Sequence, residues 1–230
     1  MSHHINITRI KAISRILKSI KKDVVFVGGA TVSLYVDSKS SEVRPTDDVD
    51  VVIELAAYNN YTQLEEELRN VGFENDKDSG IICRYMVQGI IVDIMPTNSD
   101  VLGFSNRWYE EGFENAISIM LDDDEVKIFS FPYFIATKLE AFKNRGNNDF
   151  RFSSDFEDIV YVLENNSNSE NQLSNLPEQL KEYFSKTFQD LINQQDWEEG
   201  LYAHLEPRNA PQKIIMIENI LKKLIENRNA

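Results

Sequence analysis

Apolar residues Ile10, Ile13, Leu17 and Ile20 recur at helical spacing with basic residues between them, which predicts an amphipathic surface helix. Four consecutive apolar residues follow, Val24-Val25-Phe26-Val27, closed by Gly28-Gly29, and read as a buried strand. A helix over 30–36 and a polar loop over 38–45 come next. Val49 to Ile53 predicts a second strand, and Tyr61 to Asn70 a second helix closed by Gly72. The runs 81–87 and 90–95 flank Gly89 and predict a β-hairpin that Pro96 stops. The runs 117–121 and 126–129 predict another, with Asp122-Asp123-Asp124-Glu125 as a charged tip. After Ser130 the period is helical: 131–143, with Pro132 in the first turn where its missing N–H costs nothing, then 156–163, 180–192 and 214–225. A polar loop is predicted over 165–175. The pattern predicts an α+β fold, a mixed sheet with flanking helices followed by a helical C-terminal region. The division expected is 1–129 for the mixed part and 130–230 for the helical part.

Composition narrows this. The chain has 230 residues, 42% hydrophobic, with 9 Gly and 6 Pro, which excludes disordered and collagen-like classes and leaves room for a sizeable core. Lys and Arg number 24 against 38 Asp and Glu, a net charge of −14, which repels phosphate backbones at long range. Basic residues nevertheless cluster at Arg9, Lys11, Arg15, Lys18, Lys21 and Lys22, and again at Lys138, Lys143, Arg145 and Arg151. Contact with a polyanion through these groups and plain solvated helix faces are both open readings. One cysteine, Cys83, excludes an internal disulfide. No apolar run approaches the roughly 20 residues that span a bilayer, and the N-terminus lacks a secretory signal. A cytoplasmic protein with no membrane association is expected.

Several constellations bear on chemistry. Gly28-Gly29, between a buried strand and a helix, permits close approach of a ligand and offers backbone N–H groups to phosphate. Asp48 and Asp50 project from one face of the second strand, with Val49, Val51 and Ile53 on the other. Two adjacent carboxylates invite a cation, and Mg²⁺ is held by one or two carboxylates plus substrate phosphates. Asp93 is a lone carboxylate in an apolar strand, where an unpaired charge is costly. A neighbouring strand bearing Asp48 and Asp50 accounts for it, and three such carboxylates form a cradle for two metal ions. Lys138 and Arg145, seven apart, share a helix face suited to a triphosphate. Asp155 and Asp158 open the next helix, where acids also simply favour the dipole. The cluster Phe104 to Tyr109 suits base stacking or core packing. Cys83 reads as a core residue, Trp197 and Tyr202 as helix packing, and His204 stands alone.

Gly28-Gly29 with Tyr35, Arg44-Pro45-Thr46-Asp47-Asp48-Val49-Asp50 and Asp93 together resemble the nucleotidyltransferase fold of the DNA polymerase β superfamily, and more closely its AbiEii-type members. Lys138, Ala141 and Arg145 match that family's third motif, with Phe142 in place of leucine. Asp155 and Asp158 match the fourth, with Ser154 in place of its arginine. The resemblance covers residues 24 to 163. It implies Mg²⁺-dependent transfer of an NMP group from an NTP to an acceptor hydroxyl. Asp48, Asp50 and Asp93 would hold the metal, and Asp93 would help to activate the acceptor. Gly28, Gly29 and Thr46 would bind phosphate, Lys138 and Arg145 would neutralise the triphosphate, and Asp155 or Asp158 would orient Lys138 or act as a base. It also implies a toxin of a toxin–antitoxin or phage-defence pair, acting on tRNA or another RNA, with a cognate antitoxin. The alternatives are a small-molecule nucleotidyltransferase of the aminoglycoside-modifying kind, which an acidic protein suits, and a non-catalytic nucleotide- or partner-binding module of the same fold.

Overall fold

The structure is a computed structural model that describes residues 2–20, 23–37, 42–55, 58–146 and 148–226. Lys21 and Lys22 of the first basic group lie outside the described residues. The chain forms two compact units, Met1–Ser33 with Glu42–Phe134, and Leu34–Ser41 with Ile135–Ala230.

The first unit is built on a mixed sheet. Its strands are β1 (Val24–Val27), β2 (Asp48–Ile53), β3 (Glu74–Asn75), β4 (Arg84–Val87), β5 (Ile90–Pro96), β6 (Ile117–Leu121) and β7 (Asp124–Ile128), in the order β3-β4-β5-β2-β1-β7-β6. β2 pairs parallel with β5 and β1 parallel with β7, while the remaining pairs are antiparallel. Helix α1 (Ser2–Ser19) packs on β2 and β7 through buried Ile10, Ile13 and Leu17. Helix α2 (Tyr58–Asn70) buries Tyr61, Leu64 and Leu68. Short helices α3 (Ser99–Leu102) and α4 (Tyr109–Glu114) pack on β5 and β2.

Local chemistry accounts for several departures from the predicted elements. Residues 30–36 do not form an α-helix: Gly29–Leu34 is a 3-10 segment, closed by the Thr31 N–H and hydroxyl on the Gly28 carbonyl at 3.3 and 2.9 Å. Helix α1 begins eight residues earlier than Ile10, and its polar Asn6 is buried, with its side-chain oxygen accepting from the Thr46 hydroxyl at 3.2 Å. The first hairpin turns on Gln88 and Gly89, both at positive φ (50° and 77°), a two-residue turn whose hand matches strand twist. Pro96 is the last residue of β5 rather than the first beyond it. In the second hairpin only Asp122-Asp123 form the turn, and Asp124 pairs with Leu121.

The second unit is helical: the greater part of α5 (Phe131–Asn144), then α6 (Ser154–Asn165), α7 (Ser169–Gln172), α8 (Glu178–Ile192), α9 (Trp197–Ala203) and α10 (Ala210–Glu226). Helix α7 falls inside the stretch predicted as a loop. Ser153 caps α6, its hydroxyl accepting from the Phe156 N–H at 3.3 Å. The core holds an aromatic cluster of Phe142, Phe150, Phe156 and Trp197, with ring centroids 4.9 to 5.8 Å apart. Gly200 is required there, because a Cβ would fall on the Phe150 side chain at its Cβ. His204 edges Phe156 and is fixed by its Nε2 on the Phe150 carbonyl at 2.7 Å. Trp197 packs as expected, whereas Tyr202 is exposed.

Candidate active site

The register of the central strands sets the first cluster. Asp50 on β2 lies opposite Asp93 on β5, and Asp93 lies opposite Arg84 on β4. The three side chains therefore form a row across one face of the sheet, since directly paired residues project to the same side. Asp48, two residues before Asp50, extends that face, while Val49 and Val51 are wholly buried on the other. Val27 pairs with Asp50 and brings the Gly28-Gly29 turn to the end of the row. Gly28 has φ 72°, and a Cβ there would fall on the Asp50 carboxylate. A Cβ on Gly29 would meet Thr46 and Arg44 at 2.7 and 2.8 Å. Both glycines are thus needed for side chains to crowd the turn. Thr46 is in turn held by α1, with its carbonyl accepting from Arg9 Nη1 at 2.6 Å.

Arg84 was not singled out by the sequence reading. Its Nε and Nη2 donate to both oxygens of Asp93 at 2.8 and 2.7 Å, and Nη2 also reaches Asp48 Oδ2 at 3.1 Å. Hydrogen bonding to Asp93, against the opposing effect of burial, raises the guanidinium pKa further and keeps it charged. The signal was available: counting outward from the Gln88-Gly89 turn pairs 87 with 90 and hence 84 with 93. Neighbouring Cys83 is a buried core residue, as predicted, and burial followed by the Asp93 charge pushes its thiol up to about 12.

The second cluster lies within the second unit. Lys138 on α5 is only 4% exposed, and its ammonium sits 2.9 Å from Asp155 Oδ1 and 2.7 Å from Asp158 Oδ2, both on α6. Arg145, with a side chain 71% exposed, forks onto Asp155 through Nε and Nη2 at 2.8 and 2.9 Å. Burial pushes the Asp155 carboxyl up, but Arg145 and Lys138 outweigh it and hold the group at about 2. Burial likewise lowers the Lys138 pKa, and the charges of Asp158 and Asp155 overcome it, leaving Lys138 above its ordinary value. Two acids thus hold the lysine ammonium.

Other candidate segments resolve toward packing. Trp108 is buried against Tyr133 with ring centroids 6.4 Å apart, and Tyr109 reaches Met95 and Phe129, while Phe104 is exposed. The base-stacking reading of 104–109 therefore loses its largest ring, Trp108, to the core, while Tyr109 is half-buried. On α1, Lys11 pairs with Asp122 at 2.5 Å and Arg15 with Asp124 at 2.8 Å, so the charged tip of the second hairpin is the partner of the basic helix.

Asp48 and Asp50 offer hard oxygen donors on one half-exposed edge, which suits a divalent cation completed by phosphate oxygens. Among the described residues no group of three His, Cys, Asp or Glu side chains is arranged to hold a metal by itself. Two carboxylates suit an ion whose remaining ligands come from a nucleotide's phosphates. A profile of the family described as "Nucleotidyl transferase AbiEii toxin, Type IV TA system" matches residues 12–227. The chain belongs to the AbiEii nucleotidyltransferase family. Among solved structures, this AbiEii-family enzyme matches an antigenic nucleotidyltransferase-like protein from Paracoccidioides brasiliensis, with a TM-score of 0.54 and 20% identity. The match covers 90% of this chain and 96% of that one, and at such identity it speaks for the fold. A search of curated proteins gave no match. No helix among the described residues is long and apolar enough to cross a membrane.

Proposed function

We propose that this AbiEii-family enzyme transfers an NMP group from an NTP to the terminal hydroxyl of an RNA, with tRNA as the first acceptor to test, and acts as the toxin of a toxin–antitoxin pair. The observation that carries the reading is the row of carboxylates ending at a glycine turn that only glycine can make. Asp48 and Asp50 would hold the divalent ion of an incoming nucleotide, magnesium in this reading, which when bound would supply charge screening of the triphosphate and polarisation of the α-phosphoryl group. Gly28, Gly29 and Thr46 shape the wall beside the phosphates. Within the second unit, Arg145 is the more exposed of the two cations and suits a phosphate group, while Lys138 is held by Asp155 and Asp158. The acceptor oxygen bonds to the α-phosphorus as the bond to the pyrophosphate oxygen breaks, and the hydroxyl proton leaves to solvent. The family's description as a type IV toxin supports a cognate antitoxin as its functional counterpart.

Incubation with each α-³²P-labelled NTP, magnesium and total RNA tests the reading, with Asp48→Asn/Asp50→Asn as the control. Label entering a tRNA-sized band with the wild type alone is the expected result. Label transferred only to an aminoglycoside-type acceptor would replace RNA with a small molecule. No transfer to any acceptor, with nucleotide still bound, would leave a binding module.

A further inference from the structure

Arg84 has no task in the scheme above, yet it bonds two members of the carboxylate row. Its guanidinium takes both oxygens of Asp93 and bridges to Asp48, with distances of 2.7, 2.8 and 3.1 Å. The hairpin register places it there, since Arg84 and Asp93 are direct cross-strand partners. Its side chain is 19% exposed and that of Asp93 12%, so the charges are only weakly screened by water. A guanidinium stays protonated and presents a planar fork matched to a carboxylate. Three carboxylates on neighbouring strands repel one another unless positive charge lies among them. Two metal ions are one way to supply it. A resident arginine is another.

We propose that Arg84 replaces a second metal ion: the nucleotide site holds one divalent ion, on Asp48 and Asp50, and Asp93 anchors Arg84 rather than ligating metal. This rests on the nucleotidyl-transfer reading and deepens it at the same site. Arg84 is then a positioning residue, holding Asp48 by one nitrogen while its fork occupies Asp93.

The test counts ions on the full chain. Mn²⁺ binding is measured by electron paramagnetic resonance and calorimetry in the presence of an α,β-methylene NTP, which cannot transfer its nucleotidyl group. The wild type is expected to bind one Mn²⁺ per nucleotide-loaded chain, and Arg84→Met to bind two. Asp93→Asn is expected to keep one ion and to weaken it by about 10–100-fold, the usual cost of altering a group one step removed from the metal. Two ions on the wild type, or an unchanged count in folded Arg84→Met, would overturn the proposal and leave nucleotidyl transfer standing. Should Arg84→Met fail to fold, the wild-type count and Asp93→Asn decide. Neither ion nor nucleotide bound by the wild type would overturn both readings.

Discussion

Asp155 shows how a single buried side chain sets the pH range of the second unit. Its carboxyl, held at about 2 by Arg145 and Lys138, is depressed from the ordinary carboxylate range. A depressed acid contributes stability that is full above its unfolded value, near 4, and is lost as pH falls toward the folded value. The span corresponds to about 2 kcal/mol between roughly pH 4 and 2. Lys138 works in the opposite sense. Raised above its ordinary value, it contributes stability below roughly pH 10.4 that is lost as the pH rises through its folded value. Urea midpoints measured against pH are expected to fall at both ends for the wild type. In Asp155→Asn the slope between pH 4 and 2 should flatten, while stability at neutral pH drops by about 3–5 kcal/mol because Lys138 loses a buried partner. An unchanged acid slope would mean that another carboxylate governs it.

At the level of elements, α1 joins the sheet by two kinds of contact that weigh differently. Ile13 is wholly buried, and Ile13→Ala is expected to cost about 2–5 kcal/mol in chemical unfolding. Arg15 and Lys11 pair with Asp124 and Asp122 at the surface, where long side chains and salt weaken ion pairs. Arg15→Ala should therefore move the midpoint far less, and 1 M salt should erase the difference. A larger effect for Arg15→Ala than for Ile13→Ala would contradict this ranking. The same helix marks the limit of what the sequence conveys. Strand β1 was legible because four apolar residues end at two glycines, and α8 because its apolar period is unbroken. The first turns of α1 were hidden because buried Asn6 looks like a solvent-facing residue until Thr46 is brought to it. Strand β3, two residues long, and helices α3, α4 and α7 are too short to impose a period. Asp48 and Asp50 were legible from alternation alone, whereas Arg84 needed the hairpin register and was read as an ordinary strand position.

For the molecule as a whole, the charge balance bears on how an acceptor is held. The protein carries −14, and the described arginines and lysines of α1 include three already engaged internally: Arg9 on Thr46, Lys11 on Asp122 and Arg15 on Asp124. In the proposed reaction an RNA acceptor would therefore be gripped over a short stretch near its reactive end. Binding of a single-stranded RNA 3′ end should show a log–log salt slope shallower than about −2, fewer than about three phosphates at −0.7 each. A slope several times steeper in fluorescence anisotropy titrations would point to an extended basic track.

The two tryptophans of the chain are divided evenly, Trp108 in the first unit and Trp197 in the second, and both are buried. Their emission is quenched or shifted only when the surrounding core opens to water. Replacing either with phenylalanine silences one half of the molecule while the other still reports, so melting curves of the two variants show directly whether the sheet-bearing half and the helical half come apart in one step. The protein carries its own pair of optical labels, one for each core.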